Sequence, residues 1–308
     1  MKNIIYLILL CNILFANIDY LTIYKEKGIN EVERILKEEL KKTQNGQIGY
    51  FESIRYVVLI VKKEKTLKVY DTKKDKIIFE SSVFVGKETG CKEREGDLKT
   101  PTGVYKLTKV LTKLDAFYGP LALVTNYPNE FDKSLNNTGD GIWIHGVPND
   151  DTRKPYTKGC IALDNLNLKK LNNTINISNT IVIISENRQI TISKEQLNTI
   201  FTQLSLWKKA WKNNDLETYL SFYSKDFKRT NGWDINRFAK YKKRIFNKNE
   251  TKTIIFSKIN IIPYPNELGK IMFRIIMDEN YKAKFYKFIG KKELYIELID
   301  NKMQILIE

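Results

Sequence analysis

The stretch that decides the fold joins two short apolar runs through a polar loop. It reads Ile142-Trp143-Ile144-His145-Gly146-Val147-Pro148 and then, after eight intervening residues, Thr157-Lys158-Gly159-Cys160-Ile161-Ala162-Leu163. His145 is the only histidine of the chain, and it lies fifteen positions before Cys160. A thiol needs a base to become a nucleophile near neutral pH, and a single imidazole can act as that base at one place only. The pair therefore predicts a cysteine nucleophile with a histidine base.

The amino terminus predicts export. Residues 1–16 carry one charge, Lys2, followed by an apolar run over residues 4–10, and they end in Ala16. This pattern is typical of a secretory signal that is cleaved after Ala16, and it places the protein in the periplasm. The run is short for a membrane span, although an uncleaved anchor is the alternative. Cys11 follows Leu10 rather than a small residue, which argues against a lipoprotein anchor.

The cysteine content leaves two interpretations of Cys160. Without residues 1–16, only Cys91 and Cys160 remain, which is too few for the disulfide framework of an exported protein of this size. A cysteine kept in an oxidising compartment is more often reactive than structural. The alternative is a bridge between Cys91 and Cys160, which would abolish the predicted chemistry.

The charge of the chain is strongly positive and evenly spread. Fifty-two Lys and Arg face 36 Asp and Glu, so the formal net charge is +16. Such a balance indicates attraction to an anionic polymer or surface. The alternative is a compositional bias of the source, in which the charged side chains simply face water. No zinc spacing, RNP-type aromatic signature or basic heptad helix is present, so no nucleic-acid partner is predicted. One histidine and unclustered cysteines also predict neither a metal site nor a cofactor.

The sequence divides into three parts after the signal. Residues 17–49 are predicted to form a helical segment, with an amphipathic helix over 28–43 whose apolar face could pair two chains into a homodimer. Residues 50–187 predict a mostly β domain, with strands at 56–61, 67–71, 77–85, 103–107, 121–123, 141–145 and 180–184. Residues 193–308 are predicted to begin with helices and end with strands. The predicted helices begin at 193 or span 216–223 and 233–246. The predicted strands include 270–277, 282–288 and 293–299.

Three landmarks give the middle part a family resemblance. Thr100-Pro101-Thr102-Gly103-Val104-Tyr105, His145-Gly146 and the run from Thr157 to Leu163 resemble, in order and spacing, the L,D-transpeptidase (YkuD-type) catalytic domain, a β-sandwich. The last part is similar to nuclear-transport-factor-two-like domains through its Trp207-x-x-x-Trp211 helix and closing strands. Together the parts resemble the cell-shape-determining L,D-carboxypeptidases. The expected fold class is α+β, a β-sandwich followed by a curved-sheet domain.

The resemblance implies chemistry on peptidoglycan stem peptides through a cysteine acyl-enzyme. His145 would take the proton of Cys160, and the carbonyl of Gly146 would orient the imidazole. The backbone N–H groups of Gly159 and Cys160, at a turn into the following helix, are the expected oxyanion donors. The expected reaction removes the terminal D-Ala from a tetrapeptide stem.

Two departures from the family pattern affect the choice of reaction. The transpeptidases commonly have histidine and arginine where this chain has Lys158 and Ala162. Loss of the arginine removes a clamp for a substrate carboxylate and favours hydrolysis over transfer. Lys158, Arg153, Trp143 and position 162 are the expected substrate contacts. For Trp143 the distribution of aromatic residues favours the alternative of a core role, and the two basic side chains could be solvated.

Other functions remain open from the sequence. A transpeptidase or an amidase acting on wall crosslinks or wall-attached protein would differ from a carboxypeptidase only in the acceptor or the bond chosen. A non-catalytic wall-binding scaffold with a vestigial cysteine is the third alternative. The last domain could bind a small ligand or a protein, and its sequence does not choose between them.

Overall fold

A computed structural model describes residues 48–148 and 154–308. The predicted signal, the predicted helix over 28–43 and Arg153 lie outside these residues. Within them, no helix combines the length and the apolar character that crossing a membrane requires.

The described residues form strands and a smaller number of helices, numbered here in chain order. The strands are β1 Tyr50–Phe51, β2 Tyr56–Val61, β3 Thr66–Asp71, β4 Lys76–Ser82, β5 Gly103–Leu111, β6 Ala122–Thr125, β7 Trp143–His145, β8 Ile161–Ala162, β9 Thr180–Ser185, β10 Tyr223–Lys228, β11 Thr253–Pro263, β12 Met272–Lys282, β13 Lys287–Ile299 and β14 Lys302–Ile307. The α-helices are α1 Glu130–Ser134, α2 Asn165–Thr174, α3 Lys194–Lys212, α4 Leu216–Ser221 and α5 Ile235–Phe246. The prediction of an α+β chain, mostly β with few helices, is confirmed.

The first domain is built on one curled sheet. Its strand order is β4-β3-β2-β9-β5-β6-β7-β8, and the central pair β2 and β9 is parallel. Phe84, just after β4, exchanges two backbone hydrogen bonds with Ala162 of β8 at 2.7 and 2.9 Å. These bonds bring the two ends of the sheet together, and they place β8 against the segment that follows β4.

Strand β2 is apolar on both faces because each face has its own packing partner. Val58 and Ile60 belong to the core of the first domain. Val57 and Leu59 belong to a second apolar cluster, which they share with Ile262 and other residues of the C-terminal sheet. A strand buried on both sides is expected to be continuously hydrophobic rather than alternating. The run Tyr56–Val61 therefore reflects a strand lying between two cores.

The second domain is a curved six-stranded sheet with helices against it. The strand order is β1-β11-β12-β13-β14-β10. Helix α3 buries Trp207 and Trp211, whose rings lie 5.7 Å from Phe256 of β11 and 5.4 Å from Tyr281 of β12. Tyr219 of α4 stacks on Trp207 at 5.9 Å. This aromatic core holds the helices on the sheet, and the curled-sheet architecture predicted for this domain is confirmed.

A buried polar network joins the two domains beside the shared cluster. The guanidinium of Arg274 on β12, 1% exposed, donates to the carbonyl of Val104 on β5 at 2.6 Å and to Glu293 on β13 at 2.7 Å. The amide of Asn129 donates to the same Val104 carbonyl and to the hydroxyl of Tyr264. Because burying a cation is costly unless it is paired and hydrogen-bonded, this network fixes how β5 lies against β12.

Two sequence expectations differ from the structure. The three strands predicted at 270–277, 282–288 and 293–299 are only two long strands, because the chain turns at 283–286, where the N–H of Ala283 donates to the carbonyl of Tyr286 at 2.8 Å. Residue 50 was expected to begin the first domain, but β1 pairs with β11 of the C-terminal sheet. A two-residue strand gives too short a pattern to reveal a partner so far along the chain.

Candidate active site

Strands β7 and β8 bring the histidine and the cysteine to one side of the sheet. The two strands are parallel, with Ile144 opposite Ile161 and His145 opposite Ala162. Both isoleucines are fully buried in the core of the first domain. Side chains alternate along a strand, so His145 on β7 and Cys160 at the start of β8 both point to the face away from that core.

The protonation of His145 follows from its backbone contact. Its Nδ1 lies 2.8 Å from the carbonyl oxygen of Gly146, and the side chain is 2% exposed. A carbonyl oxygen can only accept a hydrogen bond, so in the neutral imidazole Nδ1 carries the proton and Nε2 keeps the lone pair. The ring can therefore accept a proton at Nε2 without turning.

Asn165 and Gly119 fix the turn that carries the Gly146 carbonyl. The amide of Asn165 accepts from Val147 N at 3.0 Å and donates to Val147 O at 2.9 Å. The Gly146 N–H donates to the Tyr118 carbonyl at 2.9 Å. A Cβ at Gly146 would lie 2.2 Å from the Asn165 side-chain oxygen, and one at Gly119, where φ is +71°, would lie 2.4 Å from it. Both positions therefore require glycine.

The two cysteines are not bridged to each other. The Sγ of Cys160 donates to the carbonyl of Gly141 at 3.3 Å. The Sγ of Cys91 lies 3.8 Å from the carbonyl of Thr102, so the alternative of a bridge between Cys91 and Cys160 is wrong. Burial raises the pKa of the Cys91 thiol, which disfavours its reactive thiolate form.

The loop before Cys160 corrects the expected oxyanion donors. The N–H of Gly159 donates to the hydroxyl of Thr157 at 3.0 Å, and that hydroxyl donates to the Cys160 carbonyl at 2.6 Å. The Gly159 N–H is thus already used within the loop, and its expected role as an oxyanion donor is contradicted. The expected turn into a helix is wrong as well, because Cys160 leads into β8 and the helix α2 begins only at Asn165.

The expected substrate contacts have different surroundings. Trp143 is half-buried, outside the core, with its ring 5.2 Å from Tyr118, which itself lies 5.1 Å from the His145 ring. Lys158 is exposed. Ala162 is fully buried against the backbone of Phe84, so it cannot contact a substrate and that expectation is wrong.

Sequence reasoning missed Thr157 and Asn165. Both act by holding backbone groups of other residues, and a hydroxyl or an amide in a loop gives no sign of such a role by itself. The available signal was their position: Thr157 lies three residues before the cysteine, and Asn165 follows Asp164 at the start of α2.

The C-terminal domain holds a second group of ionisable side chains that the sequence did not single out. Lys292 on β13 contacts the carboxylate of Glu308 at 2.5 Å, and Tyr223 donates to the same carboxylate at 2.5 Å. Although burial opposes it, Lys292 and then Lys242 hold the pKa of Glu308 down to about 2. Burial lowers the pKa of Lys242 to about 8. Its ammonium lies 4.7 Å from the Trp211 ring centroid, in a cation–π contact.

The fold is that of an L,D-transpeptidase catalytic domain followed by an NTF2-like domain. Residues 55–184 match the L,D-transpeptidase catalytic domain family, and residues 199–308 match the Cds6 C-terminal NTF2-like domain family. Within the described residues, no group of three or more His, Cys, Asp or Glu is placed to hold a metal ion.

Similarity to solved structures identifies a smaller family within this class of proteins. The helical cell-shape-determining protein Pgp2 of Campylobacter jejuni is 41% identical, with a TM-score of 0.80 over 88% of this chain and 97% of that chain. Bd1075 of Bdellovibrio bacteriovorus is 28% identical, with a TM-score of 0.68 over 85% of this chain and 95% of that one. The chain belongs to the family of helical cell-shape-determining proteins represented by Pgp2.

A more distant relative matches only part of the chain. YafK of Escherichia coli strain K12, which carries the name of an L,D-transpeptidase, is 27% identical over 117 residues. The match covers 37% of this chain and 44% of that relative, so this chain spans less than half of its length. Family and domain together support a role related to peptidoglycan.

Proposed function

We propose that this protein is a peptidoglycan L,D-carboxypeptidase that removes the terminal D-Ala from tetrapeptide stems and thereby influences cell shape. The observation that carries the proposal is the placement of Cys160 and His145 on one side of two paired strands, with Nδ1 of the histidine held by the Gly146 carbonyl. A thiol on the same side of the strands as an oriented imidazole is the arrangement that cysteine acyl transfer needs.

In the first half-reaction, Nε2 of His145 accepts the proton of the Cys160 thiol. The thiolate attacks the carbonyl carbon of the L-centre in the L-to-D amide, and negative charge develops on the carbonyl oxygen. The N–H of Cys160 is the backbone donor that we assign to this oxygen. When the C–N bond breaks, the imidazolium returns its proton to the amine of the departing D-Ala, and a thioester remains on Sγ.

In the second half-reaction, water replaces the amine. His145 takes a proton from the water as it attacks the thioester, and it protonates the thiolate that leaves. The products are a tripeptide stem and the free Cys160 thiol, so no oxidant, metal or cofactor enters the balance. The aromatic rings of Tyr118 and Trp143 form the wall of the site beside the imidazole.

Hydrolysis is favoured over transfer by the residue at position 162. Ala162 stands where the transpeptidases commonly have an arginine, and it has no guanidinium to offer. A substrate carboxylate therefore lacks that clamp. Lys158, which is exposed beside the cysteine loop, is the cation that remains to attract an anionic stem peptide.

The proposal is tested with purified tetrapeptide muropeptides and mass analysis of the products. Released D-Ala with a tripeptide product is the expected result. Crosslinked dimers would instead identify a transpeptidase, and unchanged substrate would overturn the enzymatic proposal in favour of a scaffold.

The two cysteines supply a matched control. Cys160→Ala should abolish D-Ala release, because no other group can form the thioester. Cys91→Ser should retain it, because Cys91 lies away from β8 beside Thr102. Equal activity in the Cys160→Ala variant would rule out the acyl-enzyme.

Location and assembly are part of the same proposal. A peptidoglycan substrate requires export to the periplasm, which the predicted signal would provide. The predicted helix over 28–43 would pair two chains, and light scattering on a protein lacking residues 17–45 tests this, with an unchanged mass counting against it.

A further inference from the structure

The far end of the C-terminal sheet exposes an apolar patch. Strands β12 and β13 form a long hairpin whose tip is exposed at every residue from 284 to 289. The hairpin patch consists of this tip and one neighbour on β11, with fractional exposures of 51% for Ile255, 80% for Phe285, 61% for Tyr286, 36% for Phe288 and 66% for Ile289. Contiguous exposed apolar side chains mark an interaction site more often than isolated ones do.

Pairing within the sheet makes these residues one surface. Ile255 lies opposite Asn280, and Asn280 lies opposite Ile289, so the two isoleucines share one face of the sheet. Lys282 and Lys287 form the last pair of the hairpin and Lys284 lies between them, its ammonium 4.9 Å from the ring of Phe285. All three lysines are exposed, so cations surround the apolar tip.

A basic groove lies on α5 at the same end of the domain. The α5 groove, of about 600 Å³, is lined mainly by Trp233, Arg237, Lys240, Tyr241 and Arg244. The segment from 228 to 248 contains eight Lys or Arg and one acidic residue. In the described part of the chain, the ion pairs formed do not include Arg237, Lys240 or Arg244. Their charges are therefore available to an anionic partner.

Cations and aromatic rings alternate in this groove. Arg229 and Arg237 lie over the Trp233 ring at 5.1 and 4.8 Å, and the rings of Trp233 and Tyr241 are 5.3 Å apart. These contacts hold the guanidinium groups at the surface without an acidic partner.

Groove and hairpin patch are adjacent. Helix α5 ends at Phe246, and the chain enters β11 at Thr253, which pairs with Lys282 at the end of the hairpin. Tyr281 contacts the Tyr286 ring at 5.8 Å and the Trp211 ring at 5.4 Å, and Lys242 of α5 lies over the Trp211 ring at 4.7 Å. One surface thus combines an apolar tip, flanking lysines and a cationic groove.

We propose that this surface docks the protein on an anionic phospholipid bilayer. Phe285, Tyr286 and Ile289 would enter the interfacial region, where aromatic side chains are favoured, while the lysines and the α5 groove would contact headgroup phosphates. A polyanion alone would leave the exposed aromatic tip unexplained, and an apolar protein partner would leave the cations unexplained. Binding to lipid would keep the enzyme beside the membrane.

The test is co-sedimentation of residues 17–308, the chain expected after signal removal, with lipid vesicles. We expect binding to vesicles of phosphatidylethanolamine with phosphatidylglycerol and much weaker binding to phosphatidylcholine alone. Phe285→Ser with Ile289→Ser should weaken binding at least about tenfold. Lys240→Gln with Arg244→Gln should weaken it roughly thirtyfold, since each basic side chain near an anionic surface contributes about a factor of five.

Matched controls use exposed residues of the first domain. Leu166→Ser removes a leucine that is 71% exposed on α2, and Lys73→Gln with Lys74→Gln removes two exposed charges. Both variants should bind as the unaltered chain does. Circular dichroism of all variants checks that the folds are intact.

A direct probe of insertion completes the test. In Phe285→Trp, vesicles of brominated phosphatidylglycerol should quench the new indole, whereas the indole should stay unquenched with free polyphosphate. The proposal is overturned if no variant changes binding or if the hairpin variants bind as well as the unaltered chain. It is also overturned if polyphosphate fully displaces the protein from the vesicles. A further contrary result would be ultracentrifugation showing that Phe285→Ser disrupts a dimer.

Discussion

At the scale of single residues, the site depends on side chains that hold backbone groups rather than touch a substrate. The Thr157 hydroxyl joins the Gly159 N–H to the Cys160 carbonyl and so sets the conformation of the loop that presents the thiol. Gly159 has φ of +133°, and a Cβ there would lie 2.9 Å from the Lys99 carbonyl. The loop therefore has little freedom to compensate for loss of the hydroxyl.

Thr157→Val is expected to lower kcat/KM about a hundredfold, because a small displacement of a reacting group costs about that much. Thr157→Ser keeps the hydroxyl and should retain most of the activity. The measurement is D-Ala release from tetrapeptide muropeptides, together with thermal unfolding of both variants. Equal activity of the valine and serine variants would contradict a positioning role.

Lys242 offers a prediction on pH. Its folded-state pKa of about 8 lies below the ordinary lysine value of 10.5, because burial disfavours the charged form. Between these values the unfolded chain binds more protons than the folded one, so the contribution of Lys242 to stability rises as the pH increases from about 8 to 10.5. Below pH 8 the buried charge costs stability.

Lys242→Met should therefore be more stable than the unaltered chain at pH 7, by at most about 3 kcal/mol, since one pKa unit corresponds to about 1.4 kcal/mol. The difference should shrink as the pH approaches 10.5. Urea unfolding of both proteins at pH 7 and pH 10 measures it, and other titrating groups cancel in the comparison. A difference that does not change with pH would show that Lys242 is not the group responsible.

The sequence could propose a candidate nucleophile and a candidate base but not show how their surroundings hold them. The chain has one histidine, and one of the two cysteines outside the predicted signal lies in a motif of known spacing. Few other pairs of nucleophile and base could therefore be considered. The use of the Gly159 N–H by Thr157 depends on a loop conformation that no local pattern specifies. The burial of Ala162 likewise depends on Phe84, which is distant in sequence and pairs with it only in the fold.

At the scale of secondary-structure elements, prediction succeeded where burial determines the pattern. β2 was predicted over its full range, because five successive apolar residues are buried between two cores. The β12–β13 hairpin was predicted poorly, because its turn contains neither glycine nor asparagine and its tip is apolar. The exposed tip, which reads as a strand in the sequence, is the surface that we assign to lipid.

Strands β5, β12 and β13 are locked together by Arg274, which leads to a prediction about that contact. Arg274→Met removes the buried guanidinium from Glu293 and from the Val104 carbonyl, and we expect a loss of about 3 kcal/mol in the free energy of unfolding. Lys106→Met is the matched control, because Lys106 contacts the same carboxylate but is 44% exposed. It should cost less than about 1 kcal/mol. Denaturant unfolding measures both, and equal losses would argue against a special role for the buried cation.

At the scale of the whole molecule, the two domains share a core. Val57, Leu59, Ile181 and Ile183 of the first domain lie in one cluster with Ile262, Tyr264, Met272 and Tyr295 of the second. β1 adds a further link, because it precedes the first domain in the chain yet pairs with the second. Landmark motifs and composition allowed the sequence to divide the chain into domains. They could not show that the two domains share a core. The sequence of β2 is equally apolar whether its outer face packs on a helix of its own domain or on another domain.

The shared core predicts that the first domain cannot stand alone. A chain ending after Ile192 would expose the outer faces of β2 and β9, including the apolar side chains of Val57, Leu59, Ile181 and Ile183. Exposed contiguous apolar surface drives association, so we expect this truncated chain to aggregate and to bind a hydrophobic dye such as ANS. Replacing Leu59 and Ile183 with threonine in the truncated chain should reduce both effects, whereas the same pair should destabilise the complete chain by several kcal/mol through lost burial. Size-exclusion chromatography, dye fluorescence and urea unfolding make the comparison. A monomeric truncated chain that unfolds cooperatively without binding dye would show that the catalytic domain is autonomous and that the second domain merely covers it.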